Sequence, residues 1–85
     1  MFSLKKFDHH FGLMEDVAKK VGVDFGEALA EGRISPETLR GAALRCTGCT
    51  HPEECAQWSI DHPQGADAAP AYCRNGLLME RLRAV

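Results

Sequence analysis

The stretch LKKFDHHFGLMEDVAKKV, residues 4–21, places Leu4, Phe7, Phe11, Met14, Val17, Ala18 and Val21 at three- and four-residue intervals. That spacing lines up one apolar stripe along a helix of about five turns. Gly22 is expected to end it, and Asp24-Phe25-Gly26-Glu27 then has the spacing of a capping box, with the Asp24 carboxylate on the amide of Glu27. A short second helix follows to about Glu31, with Gly32 as its stop. Ser35-Pro36 supplies an N-cap with proline at the first helical position, and Ile34 and Leu39 are spaced as a hydrophobic staple, so a third helix is predicted over 36–45.

Beyond residue 45, Cys46-Thr47-Gly48-Cys49 reads as a turn, and Thr50-His51-Pro52-Glu53 has capping-box spacing ahead of a fourth helix that carries Cys55, Trp58 and Ile60. His62-Pro63-Gln64-Gly65 breaks the chain. A last helix is predicted from about Ala69, with Pro70 in its first turn and Tyr72, Cys73, Leu77, Leu78 and Leu82 along it. No stretch alternates with the period of two that a strand requires. The expected fold is all-α: a small bundle of about four to five short helices, stapled by a four-cysteine metal site. It forms a single domain over 1–85, with a helical part at 1–45, a cysteine-motif segment at 46–73 and a C-terminal helix at 69–83.

A chain of 85 residues holds one small domain. Ten Lys and Arg against twelve Asp and Glu give a formal charge of -2, which is not the basic balance of a protein that binds nucleic acid through phosphates. No window has the roughly 18 consecutive apolar residues of a membrane span, and the opening residues lack the apolar core of a signal peptide. The expectation is a cytoplasmic protein, off the membrane and without a nucleic-acid partner. Four cysteines in a reducing compartment point to metal ligation or thiol redox chemistry, and a core this small often needs a staple.

Cys46, Cys49, Cys55 and Cys73 have the spacing C-x2-C-x5-C-x17-C. Two thiolates two residues apart on a turn face the same side; Cys55 looks back at them from the next helix, and the long excursion delivers Cys73 from across the bundle. Three local ligands and one distant ligand make a closed four-sulfur site. One knuckle of the C-x2-C kind, with irregular spacing afterwards, favours a [4Fe-4S] cluster over Zn2+, although zinc stays open as the alternative. Two further readings stand beside these: a dithiol pair, Cys46 and Cys49, that cycles through a disulfide, and thiols that only fill the core. A closed site has no open coordination position, so no catalytic residue is assigned. The chemistry left to it is electron transfer, sensing or stapling, for a protein partner that the sequence does not identify.

Around the cysteines, Arg45 and Arg74 are placed to offset thiolate charge, Trp58 to fill the core or shield the site, and Asn75 to donate to a sulfur or cap nearby backbone. His51 and His62 are weak substitutes as zinc ligands, and Asp8-His9-His10 reads as a polar turn of the first helix. The apolar stripe, with Phe2, Phe7 and Phe11, is long for a core of this size, which raises a homodimer as one way to cover it.

Arg45-Cys46-Thr47-Gly48-Cys49-Thr50-His51-Pro52-Glu53-Glu54-Cys55 resembles the tail of the iron-sulfur loop in endonuclease III type DNA glycosylases, where C-x2-C-x5-C supplies three ligands of a [4Fe-4S] cluster. The resemblance implies ligand roles for Cys46, Cys49 and Cys55. Those enzymes have their remaining cysteine upstream, whereas Cys73 lies downstream, and nothing else here is similar to their DNA-binding or catalytic parts. Arg45-Cys46-x-x-Cys49-x-x-Pro52-x-x-Cys55-x-x-Trp58, with Ala69-Pro70-x-Tyr72-Cys73-x-Asn75, also resembles a family of short bacterial proteins of unknown function. That likeness implies that the four cysteines act as a unit and implies no activity.

Overall fold

The computed structural model describes residues 4–83, and five helices account for most of them. They are α1 (Leu4–Lys20), α2 (Phe25–Ala30), α3 (Pro36–Thr47), α4 (Pro52–Asp61) and α5 (Gly76–Arg83). No strand occurs among the described residues, so the all-α expectation holds. Phe2 lies outside them.

Each early boundary has a local cause. Gly22 takes φ +86° and Gly32 φ +72°, conformations that stop α1 and the α2 turn at little steric cost. The Asp24 carboxylate accepts from the Glu27 amide at 3.0 Å, and Ser35 Oγ accepts from the Thr38 amide at 3.1 Å, which caps α2 and α3. Ile34 is buried and Leu39 packs partly buried against the same core, as a staple requires.

α1 packs chiefly on α3 and α4. Met14, Val17 and Ala18 from α1 meet Ala42 and Ala43 from α3, with Phe25, Ala28, Ile34, Met79 and Leu82 closing the core. The alanines at 18, 28, 42 and 43 are fully buried, and their lack of bulk lets helix backbones approach closely. Phe7 and Phe11 stack on each other with centroids 5.9 Å apart and pack partly buried on this core. Gly65 fastens the long connection: at φ +92° its Cα passes so near α1 that a Cβ would stand 2.8 Å from the Lys20 carbonyl oxygen, which accepts the Ala66 amide.

Three boundaries differ from the sequence-based expectation. α3 runs on to Thr47, so Cys46 is a helical residue and only Gly48-Cys49 turns away; the Gly48 amide closes the end on the Arg45 carbonyl and the Cys49 amide on that of Cys46. α4 begins at Pro52 behind His51, not behind Thr50, and no side chain caps it. Proline at the first position needs no amide partner, so the start moves forward by one residue, and Thr50 Oγ1 pairs with His51 Nδ1 at 3.0 Å instead. The C-terminal helix starts at Gly76 and not near 69, because the chain around Pro70 makes turns, with the Cys73 amide on the Pro70 carbonyl at 2.9 Å. Tyr72 and Cys73 therefore sit on a loop. Ile60 points outward at 70% exposure, since the core side of α4 is filled by Cys55 and Trp58.

A candidate four-cysteine centre

The end of α3, the turn after it, the first turns of α4 and the loop before α5 bring all four cysteines to one place. Cys46, Cys49, Cys55 and Cys73 line a single small pocket with Met14, Val17, Tyr72, Arg74 and Asn75. All four are free thiols of intermediate exposure. Among the described residues no three His, Cys, Asp or Glu side chains are grouped as a ready-made site for one ion. The tetrad frames a pocket and does not converge on a point.

The electrostatics of that arrangement are unfavourable to bare thiolates. Burial pushes Cys46 up to about 11 from 9.0, with Cys49, Cys55 and Cys73 adding repulsion. Burial likewise pushes Cys55 up to about 11, reinforced by Cys73, Cys49 and Asp16. Cys73 is also raised by burial, against the lowering effect of the Asn75 backbone N–H that donates to it. Cys46, Cys55 and Cys73 stay protonated unless a cation replaces their protons. The metal-free protein should therefore lose stability with alkali. These acids hold their protons more tightly folded than unfolded, so the contribution is present below about pH 9 and disappears as pH rises toward 11. Urea midpoints of chelator-treated protein, taken from pH 8 upward, are expected to fall across that window.

Several groups already point at the sulfurs. The His51 amide donates to Cys49 Sγ at 3.4 Å, and Cys46 donates its thiol proton to the His10 carbonyl at 3.2 Å. Arg74 lies across the cysteine turn, close enough to Gly48 that a Cβ there would meet Nη1 at 2.9 Å. Its charge is placed as the sequence suggested. Arg45 is not: its Nε donates to Asn75 Oδ1 at 3.0 Å. Asn75, 2% exposed, uses its side chain to join helices, donating to the Ala42 carbonyl at 2.8 Å and reaching Met14 Sδ at 3.5 Å. Only its backbone serves a cysteine.

His10 corrects the expected polar turn. It is 5% exposed, with Nδ1 4.0 Å from Cys46 Sγ, because the α1 face that carries Met14 and Val17 also carries His10. The i, i+4 relation of His10 to Met14 was the available signal. His51 stacks on Tyr72 with centroids 4.7 Å apart, while His62 stacks on Trp58 and pairs with the Trp58 carbonyl at 2.7 Å. Both rings have other occupations than ligation. Trp58 packs against the core and does not line the pocket. Tyr72 does, and its only signal in the sequence was adjacency to Cys73.

The chain is thus a small all-helical protein with a buried-edge tetrad of cysteines. It belongs to a family of unknown function, DUF6455, whose model matches residues 1–85 and so extends over the whole chain. No curated protein and no solved structure matches it.

Proposed function

We propose that this protein binds a [4Fe-4S] cluster through Cys46, Cys49, Cys55 and Cys73 and acts as a small redox or sensor module for a protein partner. The observation that carries the proposal is the gathering of four thiols, from segments up to 27 positions apart in sequence, around one pocket. A cluster suits that spread: each thiolate meets its own iron, whereas one zinc ion needs every sulfur at about 2.3 Å. The amides of His51 and Asn75 directed at Cys49 and Cys73, and Arg74 beside the turn, are the kind of surroundings that tune an anionic cluster. A thiol oxidoreductase needs a thiol that ionises more readily than usual, and burial makes Cys46 and Cys55 ionise less readily. The cluster, when bound, would supply one-electron chemistry; the protein's part is to hold it, screen it and set its potential.

An absorption spectrum of protein purified without oxygen, with iron, sulfide and zinc measured on the same sample, tests this. A broad band near roughly 400 nm with iron and sulfide in about equal amounts is the expected result. Colourless protein with one zinc per chain would replace the proposal with a structural zinc module for protein interaction, and metal-free protein would end it.

A further inference from the structure

Two buried side-chain hydroxyls among the described residues lack a hydrogen-bond partner, those of Ser59 and Tyr72, and of these only Tyr72 lines the cysteine pocket. Burying a hydroxyl without a partner is costly because its bonds to water are lost and not replaced, so native proteins keep few of them. The ring cannot easily turn its hydroxyl elsewhere. On one side His51 stacks on it at 4.7 Å and an interplanar angle of 28°, and His51 is itself held by Thr50 Oγ1 at 3.0 Å and by its own amide on Cys49 Sγ. On the other, the turn from Pro70 to Cys73 fixes the backbone that carries it. The other residues around this pocket are the four cysteines, Met14, Val17, Arg74 and Asn75. Arg74 has no acceptor, and the Asn75 side-chain oxygen is already taken by Arg45.

We infer that the Tyr72 hydroxyl donates a hydrogen bond to a sulfur of the group held by Cys46, Cys49, Cys55 and Cys73, and thereby helps to set its reduction potential. The inference rests on the cluster assignment made above. Tyr72 is a positioning residue in this role and not a ligand. A donor aimed at sulfur favours whichever state carries more negative charge, which is the reduced one. Removing the donor lowers the potential, and strengthening it raises the potential.

The protein contains one tyrosine, so the group can be altered in both directions at a single position. Tyr72→Phe deletes the hydroxyl and keeps the ring; 3-fluorotyrosine, incorporated biosynthetically, makes the phenol a stronger donor with little change in size. Spectroelectrochemical titration of the two proteins and the wild type should give the order Phe, Tyr, fluorotyrosine from lowest to highest potential, at equal iron and sulfide content. The loss of the hydroxyl should shift the oxidised-to-reduced ratio about tenfold at fixed potential, which is about 59 mV for one electron. Equal potentials in all three, with full clusters, would overturn this inference and leave the cysteine ligands standing. Wild-type protein without iron and sulfide would overturn the cluster assignment, and this role with it. If Tyr72→Phe does not retain its cluster, the fluorotyrosine protein decides: a raised potential supports the donor, an unchanged one refutes it.

Discussion

Replacing Cys73 by serine is expected to remove the metal and most of the metal-dependent stability together. Cys73 is the ligand that reaches the others from the C-terminal side of the fold, from the loop before α5, while Cys46, Cys49 and Cys55 all belong to α3, α4 and the turn between them. A group bound by all four joins α5 to the rest of the bundle, and the free energy of binding then becomes free energy of folding. Without it, α5 is held by Met79 and Leu82 in the core with Leu78 packed against it, by Arg33 on the Leu82 carbonyl at 3.0 Å, by the contacts of Arg83 with Asp67, and by the Asn75 side chain just before it. That is a modest attachment for a helix of eight residues. A ligand present at about a thousand times its dissociation constant contributes about 4 kcal/mol, which for a domain of this size is roughly 15–30 °C in melting temperature.

Serine is close to cysteine in size, so the substitution by itself disturbs packing little. The comparison that isolates the metal is a cycle of four melting curves: wild type and Cys73→Ser, each as purified and after chelation. The as-purified wild type should stand alone at the high end, and the other three should lie together. An as-purified Cys73→Ser protein with full metal content and an unchanged melting curve would exclude Cys73 as a ligand. Chelated wild type that melts with the untreated protein would show that the thiols contribute only packing.

The sequence made the helical half readable because its signals are local. Asp24, Ser35, Gly22 and Gly32 act within one turn of where they stand, and the apolar stripe of α1 needs only a bundle to face. The second half was harder for a physical reason. Proline at 52 and 70 fits either a helix start or a turn, and which one wins depends on where Cys55 and Cys73 are drawn by their neighbours; Pro52 opens α4, while Pro70 sits in the turns that precede α5. The candidate cysteines could be named from spacing, and the structure gathers all four. Their surroundings could not. His10 is separated from Cys46 by 36 positions and Asn75 from Ala42 by 33, and no local pattern announces contacts of that range. Arg45 shows the same limit from the other side: adjacency to Cys46 suggested a charge partner for sulfur, but along a helix neighbouring side chains diverge, and the guanidinium turns to Asn75.

Asn75 is where the largest loss unrelated to metal ligation is expected. Among the described residues its side chain is the only buried polar one besides His10, and from the residue immediately before α5 it touches two helices at once: α1 through Met14, and α3 through both Ala42 and Arg45. Asn75→Leu, similar in volume, leaves the Arg45 guanidinium without its acceptor and brings no donor to Ala42; a loss of about 2–4 kcal/mol is expected from unfolding in urea. Asn75→Asp separates the two halves of the role. The carboxylate keeps an acceptor for Arg45 but meets the Ala42 carbonyl oxygen with no proton to offer, so the protein should remain destabilised at neutral pH and recover part of the loss in acid, where a protonated carboxyl can donate again. In Asn75→Leu the backbone amide at that position remains available to Cys73 and no charge is added, so any cluster that assembles should keep a potential near that of the wild type while the unfolding midpoint falls. Equal stability of Asn75→Leu and wild type would mean that the buried amide is packing alone, and that α5 is held to the cysteine centre by Cys73 and its own apolar face.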